Sequence, residues 1–172
     1  MKLTYRLQAS DFLDYYLYTT FKSESIKKKR RNSVLFFTLI PVGFALYFLY
    51  QENSNVMLYF GALALIAGLF YPKYFDWRYK KHFQYFIKDN LSDRINQPTE
   101  LEIDKKSIFS KDVAGEGKIK LKEVDEITET DKHFFFQISS GMSLIIPKSE
   151  LENEDAFKSE LESLGLSITT DL

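Results

Sequence analysis

Two uninterrupted apolar runs dominate the pattern of the chain: VLFFTLIPVGFALYFLY from Val34 to Tyr50 and VMLYFGALALIAGLFY from Val56 to Tyr71. Neither holds an Asp, Glu, Lys, Arg or His, and neither leaves a polar stripe at helical spacing, so both predict helices that are apolar all round. At ~1.5 Å per residue each run covers roughly 25 Å, just short of the hydrocarbon thickness of a bilayer. The break between them, QENSN, is long enough to reverse two antiparallel helices and too short to be a domain. A membrane-spanning helical hairpin is therefore expected over residues 34–71, with spans at 34–50 and 56–71.

The flanks carry different periods. KLTYRL, residues 2 to 7, alternates weakly and predicts a short strand. Ser10 is the expected N-cap of a helix with Asp11 and Asp14 in its first turn and Leu13, Tyr16, Leu17, Thr20 and Phe21 at helical spacing. Beyond Tyr71, Pro72 and Lys73 mark an expected exit from the membrane. The stretch from Tyr74 to Leu91 then predicts a separate amphipathic helix with Phe75, Tyr79, Phe83, Phe86 and Ile87 on one stripe, able to pair antiparallel with the first helix. SDRINQP ends it, because a proline disfavours helix in the residue before it.

From Thr99 the period changes to two. TELEID, SIFS, GKIKLKEV, DEITET, HFFFQIS and SLIIP predict five or so antiparallel strands, separated by turn signals at residues 104–106, 112–117, 130–132 and 139–141. A final helix follows, with Asn153 as N-cap, Phe157, Leu161 and Leu164 on one face and Gly165 at its stop. The expected organisation is α+β: a strand, helix and basic cluster over 1–33, the hairpin over 34–71, a juxtamembrane helix and linker over 72–98, and a small sheet closed by a C-terminal helix over 99–172.

Charge orients the hairpin. Lys27, Lys28, Lys29, Arg30 and Arg31 precede it, Lys73, Arg78, Lys80 and Lys81 follow it, and the connecting turn has neither Lys nor Arg. By the positive-inside rule both termini are cytoplasmic and the turn faces out. Tyr47, Tyr50 and Tyr59 then fall at the outer boundary, and Tyr71, Tyr74 and Trp77 at the inner one, where amphipathic rings sit among headgroups. A cleaved signal peptide is not expected, since the charged leader is some thirty residues long and no small-x-small pattern follows Tyr50. Residues 1–98 carry 14 basic and 7 acidic groups, net +7, whereas 99–172 carry 9 Lys and 17 acids, net −8. The near-neutral total of −1 averages two opposites. An acidic domain is a poor match for nucleic acid, whose binding rests on neutralising phosphates.

The segments YRLQASDFLDYYLY, the twin apolar runs and SIFSKDVAGEGKIKLKEVDEITETDKHFFFQISSGMSLIIPKSEL together resemble the YcxB-like family of small bacterial membrane proteins. The resemblance implies a C-terminal domain similar to a pleckstrin-homology (PH) fold and a place in the bacterial inner membrane. The chain departs from the family pattern at Leu121, where Trp is common, and at Ser149 and Glu150, where a basic or aromatic pair is common. The PH-like domain in turn implies phosphoinositide-type headgroup contacts near Lys105 and Lys106, in the first sheet turn. No Arg follows Arg94, however, and the nearby lysines are interleaved with acids, so the bidentate fork for phosphate is missing.

Candidate chemistry is sparse. There is no Cys, no phosphate-binding glycine loop and no nucleophile or metal-ligand motif, and His82 and His133 lack a second ligand at metal spacing. Asp125, Glu126, Glu129 and Asp131 are expected to form a solvated acidic edge. No enzyme activity, cofactor or metal is expected. Gly61, Ala64, Ala67 and Gly68 form a small-residue strip, with Ala64 and Gly68 four apart, that favours close packing of the hairpin's own helices and leaves a homo-oligomer open. The expected function is a membrane-anchored interaction module that presents its PH-like domain to a protein partner. The alternatives are a lipid-binding or lipid-sensing module, with Lys27, Lys28, Lys29, Arg30, Arg31, Lys73, Trp77, Arg78, Lys80 and Lys81 as its contacts to the bilayer, and an accessory subunit of a transporter or enzyme.

Overall fold

The apolar runs fold as parts of two long helices. In the computed structural model, which describes residues 1–171, α1 spans Ala9–Lys22, α2 Glu24–Tyr50 and α3 Ser54–Asn90. The chain reverses between α2 and α3 through Gln51–Asn53, with Glu52 in the left-handed region at φ 57°. Asn53 Oδ1 accepts the Val56 N–H at 3.4 Å, partly meeting the open amides of the new helix.

Two long helices take the place of the segments expected between residues 24 and 91. The basic cluster is the first turns of α2, and the predicted break at Pro72 is absent: α3 runs through it for 37 residues. A proline in a helix interior costs about 3 kcal/mol through a lost hydrogen bond and a clash with the preceding turn. Here the sequence on both sides is helix-forming and no glycine or polar turn follows, so cooperative propagation outweighs that loss.

Residues 16–83 form one compact unit. Aromatic stacking joins α2 to α3, with ring centroids 4.5 Å apart for Phe37 and Tyr71, 5.1 Å for Phe44 and Phe60, and 5.7 Å for Phe48 and Phe60. Pro41 and Ala64 are buried. The second half of α1 packs on the last turns of the same unit, Tyr16 stacking on Phe83 at 5.4 Å and Phe21 lying 6.0 Å from Tyr79. The rest of the helical surface stays bare: Leu39, Leu46, Leu58, Leu65 and Leu69 are each more than half exposed.

The second unit joins Met1–Tyr15 to the chain from Gln84 onward. The strand expected near residues 2 to 7 is present as β1 (Lys2–Arg6), and it pairs antiparallel with β2 (Pro98–Ile103), Leu3 opposite Leu101 and Tyr5 opposite Thr99. The sheet thus reaches outside residues 99–172. β3 (Ser107–Asp112) and β4 (Gly115–Lys120) complete an antiparallel sheet in the order β1-β2-β3-β4. The turn before β4 is shorter than the pattern indicates. Asp112 Oδ1 accepts the amides of Ala114 at 2.8 Å and Gly115 at 3.2 Å, and Gly115 has φ +147°, so Gly115 and Gly117 fall inside the strand.

A second sheet has the order β7-β6-β5-β8, built from β5 (Val124–Glu129), β6 (His133–Ile138), β7 (Ser143–Pro147) and β8 (Ile168–Thr170). Between β7 and β8 lies α4 (Glu154–Ser163), whose Asn153 cap accepts the Ala156 N–H at 3.0 Å as expected. It stops at Gly165, φ +79°, with Leu166 N–H bonded to Leu161 O and Gly165 N–H to Glu162 O. The chain then returns as β8, a strand the pattern does not announce, and runs parallel to β5.

β6 is buried on both faces, which accounts for its unbroken HFFF sequence. On one face Phe134 meets Phe157 of α4 at 5.2 Å. On the other, Phe135 meets Tyr15 of α1 edge-on at 5.4 Å, and the Tyr15 hydroxyl lies 2.6 Å from Ser143 Oγ on β7. The start of α1 is capped from within its first turn rather than through Ser10: the Gln8 N–H donates to Asp11 Oδ2 at 2.7 Å. Phe134→Ala is expected to lower stability by about 3–5 kcal/mol in urea unfolding followed by near-ultraviolet dichroism. A fragment of residues 99–172 lacks β1 and Tyr15, so its amide NMR spectrum should lose native dispersion. A chain fusing residues 1–15 to 84–172 should keep it.

Candidate functional site

The basic residues that flank the apolar runs meet at one end of the helical unit, and the structure sorts them by partner. Lys27 pairs with Glu24 one turn back at 2.8 Å. Arg30 crosses from α2 to α3 and donates to Asp76 at 2.7 Å, clamping the two helices just beyond the apolar runs. Lys81 lies 5.1 Å over the ring of Trp77. Lys28, Lys73 and Lys80 are exposed, as is Arg31.

Lys29 and Arg78 are exposed as well, and they share a cleft. Together with Ser33, Tyr71, Tyr74, Phe75, Tyr79 and His82 they line a cleft of about 320 Å³ between α2 and α3 that contains no carboxylate. Among the described residues neither cation has an ion-pair partner.

The small-residue strip divides. Ala64 is buried, and a Cβ built on Gly68 would meet Thr38 of α2 at an ordinary 3.6 Å, so this part of the strip faces the hairpin's own partner helix. Beyond Gly61 there is open space. Lys105 and Lys106 sit exposed in the turn between β2 and β3.

In the sheet unit the notable electrostatics involve residues far apart in the chain. His133, buried at the start of β6, places Nε2 3.0 Å from Asp11 Oδ1 on α1. Burial pushes the Asp11 carboxyl up, but the His133 hydrogen bond and the Gln8 amide outweigh it and hold the group below its ordinary range.

Glu129, expected on a solvated acidic edge, is buried instead. It lies 2.6 Å from Lys148 and 2.7 Å from Lys158, and both lysines also reach Glu154, at 2.9 and 2.8 Å. The two ammonium groups lie 5.1 and 5.9 Å from the ring centroid of Phe134. This square ties α4 to β5. Burial raises Glu129, yet its two lysine hydrogen bonds prevail and its pKa is lowered; Glu154, held chiefly by Lys158 and Lys148, falls to about 2. Lys148 and Lys158 are raised in turn. Spacing does not reveal these groupings, because the partners lie on different elements. Among the described residues no group of three His, Asp or Glu side chains is arranged to hold a metal ion.

The segment that holds this square also carries the likeness to known sequences. Residues 103–161 match the YcxB-like protein family. The YcxB-like stretch begins at the end of β2, includes β3 to β7 and runs to Leu161 in α4, so it contains Glu129, Lys148, Glu154 and Lys158 but neither the apolar helices nor β1. No curated protein and no solved structure matches the chain.

Acid should open the square. Carboxylates with lowered folded-state values contribute stability that is present above their ordinary unfolded values, 4.5 for Glu and 3.8 for Asp11, and that is lost as pH falls through the folded values. The lysine share is complete below the ordinary 10.5 and is lost only as pH rises through the raised values. Urea unfolding of the full chain is therefore expected to show constant stability at neutral pH and a steady decline below 4.5. Glu129→Gln should flatten that decline.

Proposed function

We propose that this chain is a two-pass protein of the bacterial inner membrane, with both termini cytoplasmic, whose hairpin anchors a non-catalytic, PH-like interaction module for a protein partner. The observation that carries the reading is the bare apolar surface of α2 and α3, joined in one chain to a sheet unit with its own core. Both helices are long and apolar enough to cross a bilayer, and their apolar windows are almost entirely unburied, unlike the core helices of a water-soluble bundle. The match to YcxB-like proteins over residues 103–161 bears on the sheet unit alone. The two sheets, with α4 packed on one of them, support the PH-like description of the module.

The edge of β4 is the surface we assign to the partner. It is an outer strand, exposed along nearly its whole length, and Gly115 and Gly117 leave its backbone uncovered. An extended peptide adding to such an edge gains main-chain hydrogen bonds from a row of open amides and carbonyls.

The chain has no Cys, so single cysteines report topology cleanly. In intact cells Asn53→Cys should react with an impermeant maleimide from outside, and Lys105→Cys only after permeabilisation; the reverse pattern overturns the orientation. Photocrosslinkers at Glu116 and Lys118 should capture one discrete protein in native membranes while one at Lys105 does not. Equal capture from all three positions would remove the β4 edge as the docking surface.

A further inference from the structure

We propose that the cleft between α2 and α3 lined by Lys29, Arg78 and His82 is a binding site for the headgroup of an anionic phospholipid of the inner leaflet. This rests on the two-pass reading and adds to it a specific ligand class at a specific place.

Position comes first. Arg78 lies seven residues beyond Tyr71 on α3, and Lys29 five residues before Val34 on α2. At ~1.5 Å per residue these are roughly 10 and 8 Å past the ends of the apolar runs, the depth at which headgroups lie outside the hydrocarbon. Ser33 and Tyr71 line the same cleft at the apolar boundary, so it extends from headgroup depth to the start of the acyl chains.

Chemistry comes second. Arg78 offers a planar fork suited to two phosphate oxygens, Lys29 a point charge, and His82 a ring N–H donor whether or not it is protonated. Tyr74 adds a hydroxyl beside an apolar ring. With a volume of about 320 Å³ the cleft is larger than one oxyanion needs and accommodates a phosphodiester with its glycerol.

The neighbouring grooves are less apt. One has Asp76 in its wall, already paired with Arg30, and the other is shallow and open along the outer face of α2. Charge complementarity decides between lipid classes. A zwitterionic headgroup brings an ammonium that would find no carboxylate in this cleft, whereas a headgroup with net negative charge adds no such unmatched cation.

The test uses the full-length chain in bicelles of phosphatidylcholine doped with phosphatidylglycerol, with bound lipid counted by native mass spectrometry. The wild-type protein should retain phosphatidylglycerol preferentially. The double variant Lys29→Gln, Arg78→Gln should lose that retention by about tenfold, on the scale expected for lost charge-assisted contacts. Lys73→Gln, Lys80→Gln, which removes the same formal charge outside the cleft, should keep it. Equal loss in both double variants, or none in the first, overturns the cleft as a site, and displacement of the lipid by inorganic phosphate at equal concentration overturns the lipid as its occupant. Alkaline extraction of native membranes tests insertion separately. A protein that resists extraction yet fails the lipid test loses only the cleft, whereas one stripped by alkali loses the two-pass reading as well.

Discussion

A strand with four consecutive buried residues has to be covered twice, and this requirement organises the sheet unit. β6 presents Phe134 and Phe136 to one side and His133 and Phe135 to the other, and no single sheet can shelter both. α4 supplies one cover and the beginning of α1 the other. The second cover explains why the N-terminus belongs to the sheet unit. Once Asp11 and Tyr15 are placed against His133 and Phe135, β1 lies close enough in the chain to pair with β2 and extend the first sheet. Burying His133 beside apolar rings then demands a polar partner, which Asp11 provides.

The helical unit obeys the opposite rule. Its two long helices bury little beyond Pro41, Ala64, Phe75 and their stacked rings, and they turn leucines outward all round. Such a surface is stable in hydrocarbon, where each backbone group is satisfied within its own helix. The ionic contact of Arg30 with Asp76 lies just past the apolar runs, and both side chains are partly exposed, which tempers the cost of burying charge. The basic residues are divided by the fold: Arg30 clamps the two helices, Lys81 covers Trp77, and Lys29 and Arg78 line a shared cleft.

Function follows from how these demands are divided. The sheet unit uses the buried Glu129 and the partly exposed Lys148, Glu154 and Lys158 to hold α4 in place. What it leaves open is backbone along β4. What the helical unit leaves open is apolar surface and a group of exposed cations, Lys29 and Arg78 among them.

Local pattern alone determined a good deal. The two apolar runs, the period-two stretches from Thr99, the Asn153 cap and the Gly165 stop were all legible, because each depends on residues within a turn or a strand of one another. Tertiary structure decided the rest. Pro72 reads as a stop only when judged alone, and the helix on both sides carries through it. Glu129 reads as part of an acidic edge until Lys148 and Lys158 arrive from later elements. The pairing of β1 with β2, the parallel return of β8 beside β5, and the bond from Asp11 to His133 across 122 residues leave no mark in the spacing. Their partners are chosen by which buried groups still lack cover or a hydrogen bond once the local elements have formed, and that is a property of the packed chain.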